Sequence, residues 1–152
     1  MMKIKETEKV LRMYRRIVLY CAIALIPIGI ASKFYQGPLK EWINDYFGDI
    51  IYEAFWIMIG VLIWPRASLA KIAAVVFIAT CLIEVLQLWQ PPFLQVMRAS
   101  FIGKLLLGTT FVWWDFPHYL AGCMLTWAGL QYLKTKLRSA EEKGSSKVSD
   151  RF

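Results

Sequence analysis

Three pairs of polar residues interrupt an otherwise apolar chain, each at a spacing that shares one helix face: Asp49 and Glu53, Glu84 and Gln87, Asp115 and His118. Carboxylates with a lone histidine are groups that hold a cation or move a proton. Arg98 can grip a carboxylate or a phosphate through two parallel N–H donors. Thr109 and Thr110 add hydroxyls just before Asp115. The spacings match no metal-ligand signature, and there is no nucleophile elbow or HExxH helix, so no catalytic residue, metal or cofactor is assigned. Structural roles compete for each position: Asp49 and Asp115 suit helix N-caps, His118 suits a hydrogen-bonding spacer, and the threonines suit loop backbone groups. Glu84 is harder to absorb. It follows twelve uncharged residues, Ile72 to Ile83, and a charge at the centre of a bilayer costs on the order of 2.5 to 3.5 kcal/mol on insertion scales unless it is partnered or protonated. Arg98, folding back, is the partner expected.

The elements that must position these groups are membrane helices. Of 152 residues, 58% are hydrophobic and 19% charged, and the charges collect in short blocks between uncharged runs, as in a polytopic membrane protein. The net charge of +7 flanks the apolar segments and forms no aromatic-interleaved patch, which points to anionic lipid and away from nucleic acid. Cys21, Cys81 and Cys123 lie far apart inside apolar runs and read as small buried hydrophobes.

Four spans follow, at about 17–35, 50–65, 72–89 and 116–133. Gly29-Ile30-Ala31 would suit leader cleavage, but the later spans favour a retained first helix kinked at Pro27. Leu39, Trp42, Ile43, Tyr46 and Phe47 make one apolar face of a short interfacial helix, with Gly48 placed to end it. Pro91-Pro92 stops the third span, and Arg98 to Phe111 is apolar enough for a re-entrant or interfacial segment. Residues 1–138 form one domain, and 139–152 read as a disordered polar tail. All but Lys33, Lys40, Arg98 and Lys104 of the 18 Lys and Arg fall on the side of the termini, which puts both termini in the cytoplasm. The three polar pairs then converge near the extracytoplasmic face. Gly122 and Thr126 form a small-x-x-x-small pair able to pack within or between chains, so an oligomer stays open.

Gly48-Asp49, Glu84-x-x-Gln87, and Gly108-Thr109-Thr110-Phe111 followed by Asp115, Tyr119 and Gly122 resemble a family of small bacterial membrane proteins of unknown function, itself similar to the VanZ-like family. The resemblance spans about Gly48 to Gly122. It implies a four- or five-helix membrane protein with its shared polar positions near one face. Relatives tend to carry an acid after Thr-Thr-Phe, where this chain has Val112; if that acid belongs to a site, the site here is altered or rests on Asp115. VanZ itself is associated with resistance to the glycopeptide teicoplanin.

The expectation is an all-α protein of the bacterial inner membrane, VanZ-like, non-enzymatic or accessory to the cell envelope. Its polar cluster of Asp49, Glu53, Glu84, Gln87, Arg98, Thr109, Thr110, Asp115 and His118 would close the bundle and meet a lipid or wall-precursor headgroup. The alternatives are a membrane enzyme acting on a lipid-linked or phospholipid headgroup, and third a small transporter subunit.

Overall fold

Long apolar runs with few breakers give long helices, and the breakers mark where they turn. The computed structural model describes residues 2–108 and 110–149. Helix α1 (Met2–Ser32) passes through Pro27 without ending. After the Gly37-Pro38 break, α2 (Lys40–Trp42) runs through a π-helical turn (Ile43–Phe47) into α3 (Gly48–Ile63). Trp64-Pro65 leads to α4 (Leu69–Leu86), and two short helices, α5 (Pro92–Ala99) and α6 (Phe101–Leu107), precede α7 (Asp115–Ser149). No strand occurs among the described residues.

The long helices alternate in direction. Arg15 of α1 donates to the Leu62 carbonyl of α3, while Gly29 meets Ile51. Gly60 of α3 takes the Ile72 side chain of α4 in the space its missing Cβ leaves. Cys123 of α7 reaches the Ala73 carbonyl and Tyr119 reaches Glu84, both on α4. α7 thus packs against α1, α3 and α4. The core gathers Tyr14, Val18, Ile57, Val61, Ile72 and Leu130.

The outer faces are as apolar as the core. Ile23, Ile26, Val75, Ile78, Leu82 and Leu125 are exposed, which water would not tolerate over so much contiguous surface. Three helices, Glu8–Ser32, Lys40–Ile63 and Leu69–Leu86, are long and apolar enough to cross a membrane. This is membrane-helix character in an all-helical chain.

Three expectations change. The interfacial helix expected to stop at Gly48 is the beginning of the second long helix: Gly48 stays helical with φ −57°. Its lack of a side chain serves close approach, because a Cβ there would lie 3.2 Å from Lys33 Nζ, and that ammonium donates to the Asn44 carbonyl in the π turn at 2.6 Å. The tail expected to be disordered from 139 is helical to Ser149. Ala140, Glu141 and Glu142 extend an existing helix readily, and Glu141 pairs with Lys9 at 3.0 Å. The cysteines are free, and Cys21 is exposed on the apolar exterior instead of buried.

Candidate functional site

Glu84 lies one turn from the end of α4 and is 1% exposed. Both of its oxygens are engaged. Oε1 accepts the Val112 backbone N–H at 2.7 Å. Oε2 accepts Gln87 Nε2 at 2.8 Å and the Tyr119 hydroxyl at 3.2 Å. One carboxylate therefore joins its own helix, the loop after α6 and the first turns of α7. The departure at residue 112 does not disturb this, since it is the backbone of Val112, common to any non-proline residue, that donates.

Two features bring the loop within reach. α4 ends at Leu86, before the prolines expected to stop it, and Pro91-Pro92 opens α5 and redirects the chain. Gly108, at φ +61°, turns left-handed against Gln87, and a Cβ there would collide with Gln87 Nε2. The position needs glycine both for its backbone angle and for this approach.

Arg98 has a different role from the one expected. It is buried, and its guanidinium donates to the carbonyls of Leu86 at 3.0 Å and Trp89 at 3.2 Å, not to Glu84. The physical reason lies where the chain leaves α4: carbonyls past the last helical turn lack the donor four residues on, and α5 swings Arg98 back onto those of Leu86, which otherwise takes only the Trp89 N–H, and Trp89. Ion pairs form instead at the other end of the bundle, where Lys9 meets Glu141 and Arg66 meets Glu8.

The remaining positions divide. Asp49, Glu84 and Asp115 lie close enough to feel one another's charge, with Lys33 opposing them at Asp49 and Asp115. Asp49 Oδ2 is buried without a donor. Asp115 is the first residue of α7, so it sits just inside the helix instead of capping it. His118 Nδ1–H donates to the Trp114 carbonyl at 2.6 Å, and its ring stacks on Tyr46 with centroids 4.4 Å apart. It is a spacer between α7 and the π turn. Thr110 is exposed, and Thr109 lies outside the described residues. Among the described residues no three His, Cys, Asp or Glu side chains are grouped to hold a metal ion.

Glu53 sits one turn deeper than Asp49 on α3, is 0% exposed and has neither carboxyl oxygen hydrogen-bonded. Thr80 stands on α4 within interaction range of this carboxyl, but by geometry its one hydroxyl proton is directed at the Phe77 carbonyl at 2.9 Å. α7 presents Gly122 there, whose Cβ would stand 3.0 Å from Glu53 Cβ. Gly122 thus serves packing within the chain, against α3.

Sequence reasoning on its own terms leaves out two donors, Tyr119 and the Val112 backbone. Tyr119 follows Asp115 by four residues and so shares its helix face, a signal present in the chain; a backbone N–H carries none.

No solved structure matches this chain. Residues 38–123, more than half of it, match a family model described as Protein of unknown function (DUF2809), a stretch that holds Glu84, Gln87, Gly108, Tyr119 and Gly122. The chain belongs to that family.

Proposed function

We propose that this chain is a four-span protein of a bacterial cytoplasmic membrane, VanZ-like and non-enzymatic, that supports the cell envelope through a polar site at its extracytoplasmic end. The fourth crossing is the 116–133 part of α7, and both termini lie in the cytoplasm. The exposed apolar faces of α1, α3 and α4 and the gathering of Lys and Arg at the opposite end support this orientation.

The observation that carries the reading is the bonding of Glu84. A carboxylate whose two oxygens take three donors from its own chain is a lock between helices, not a free acid or base. Arg98 and His118, which an enzyme would use as phosphate anchor and proton carrier, are spent on backbone carbonyls. Asp49, Asp115 and Lys33, whose ammonium keeps donors beyond the one given to the Asn44 carbonyl, stand at the rim, where a lipid or wall-precursor headgroup can meet both signs of charge.

Cysteine accessibility tests the topology. With Cys21, Cys81 and Cys123 replaced, single cysteines at Gln36 and Thr110 should react with an impermeant reagent in intact cells, and those at Ala67 and Ser139 only after permeabilisation. Labelling of all four from one side overturns the four-span reading. For function, a strain lacking the protein should become more sensitive to wall-active antibiotics. Wild type should restore tolerance, and Asp49→Asn/Asp115→Asn, present at normal levels, should not. Full restoration by that variant overturns the binding role of the rim.

A further inference from the structure

The end of the bundle opposite Glu84 contains an opening the outer cluster does not use. Between α1, the turn joining α3 to α4, and the distal part of α7 lies a cavity of about 710 Å3 walled by Val10, Leu11, Tyr14 and Pro65. A second, of about 380 Å3, continues past Arg66 to Arg15 and Trp64. The larger volume falls in the range of small-ligand sites.

Its charges are unevenly matched. Arg66, Lys134 and Arg138 line it together with Glu8, Glu141 and Glu142. Glu8 is held by Arg66 and Glu141 by Lys9, each at 3.0 Å. Lys134 and Arg138, one turn apart on a single face of α7, have no ion-pair partner among the described residues, and Glu142 is the lining acid without a salt bridge. Tyr14, 3% exposed, closes its inner end. Lys134 directly follows the apolar run 116–133, and Trp64, exposed at the rim, precedes Pro65 and Arg66. Tryptophan and cations after apolar runs mark headgroup depth.

We propose that this cavity binds the phosphate of an anionic phospholipid, with Lys134 and Arg138 as its ligands and Val10, Leu11 and Pro65 against the glycerol and first acyl carbons. Arginine offers a planar fork of donors to phosphate and lysine a compact charge, and basic pockets between membrane helices hold acidic headgroups. The inference rests on the membrane-spanning reading above but not on the outer cluster. A free phosphate would satisfy the same two cations, so the test separates the two sources.

The experiment is native mass spectrometry of the full chain in detergent, offered phosphatidylglycerol, phosphatidylcholine or orthophosphate. Phosphatidylglycerol should be retained in preference to phosphatidylcholine, and Lys134→Gln/Arg138→Gln should weaken its binding by roughly thirtyfold. Lys134→Arg/Arg138→Lys should retain binding, and the lipid-free melting temperature of both variants should stay near wild type. Equal retention of the two lipids, undiminished binding by the double Gln variant, or displacement of the lipid by millimolar orthophosphate overturns the proposal. Failure of the membrane reading registers separately, as release of the protein from membranes by alkaline carbonate.

Discussion

Glu84 and Glu53 are both sealed from solvent, at 1% and 0% exposure, on neighbouring helices that both face α7, yet one is saturated with donors and the other has none. The difference follows from where each stands along its helix. Glu84 is near the end of α4, opposite a loop whose backbone N–H groups are not committed to a helix, and the Val112 N–H is one of these. Glu53 is inside α3, opposite the interiors of α4 and α7, where backbone N–H groups are already taken by the carbonyls four residues back. Of the residues that face it, Thr80 donates to its own helix, Cys123 reaches the Ala73 carbonyl, and Gly122 has nothing to donate. Burial and residue type are the same in the two cases. What decides whether a buried carboxylate ties a bundle together is the supply of uncommitted donors, and that supply is richest at helix ends.

The largest effect should come from removing the saturated member. Glu84→Ala leaves the Val112 N–H, the Gln87 amide and the Tyr119 hydroxyl without their acceptor inside the bundle. Each unsatisfied buried donor costs about 1 to 3 kcal/mol, so the loss should be at least about 3 kcal/mol in unfolding titrations with sodium dodecyl sulfate in mixed micelles, followed by circular dichroism. Glu84→Gln, which keeps one acceptor for Val112, should lose less. A Glu84→Ala protein as stable as wild type would erase the contrast with Glu53. Tyr119→Phe sharpens it at the scale of one bond. Interhelical hydrogen bonds in membrane proteins average about 0.6 kcal/mol, and the 3.2 Å contact from Tyr119 should be worth about that much in the same titration.

The same contrast explains what was legible in the chain. Apolar runs and proline breaks mark the long helices, and the cost of a lone carboxylate marks Glu84, because both depend on residue type alone. The partner of Glu84 is another matter. Counting charges proposes Arg98, since opposite charge is what a sequence displays, but the real partners are a backbone N–H, an amide and a phenol, all neutral. Arg98 is drawn instead to the Leu86 and Trp89 carbonyls where the chain leaves α4, which are equally invisible in the residue string. Gly48 illustrates the same limit: a glycine after an amphipathic stretch reads as a helix stop, whereas here it clears room for Lys33. The helical tail to Ser149 continues α7 through good helix formers, and it meets α1 through a contact across the whole chain, Lys9 to Glu141, that no local pattern announces.

The smallest expected effect tests the comparison hardest. Glu53 makes no hydrogen bond that a substitution could remove, while burying a polar group without a partner is unfavourable in itself. Methionine has a similar length, is unbranched and adapts to irregular space, so Glu53→Met should fit beside Thr80 and Gly122 without a cavity. Replacing a buried charged group by a hydrophobic one of similar volume is often neutral or stabilising. Glu53→Met should therefore unfold within about 1 kcal/mol of wild type, and on the stable side. If it instead costs as much as Glu84→Ala, Glu53 has a partner that neither Thr80 nor Gly122 supplies. The two carboxylates would then be a pair with a common role, and the rule that helix ends supply the donors would fail for this bundle.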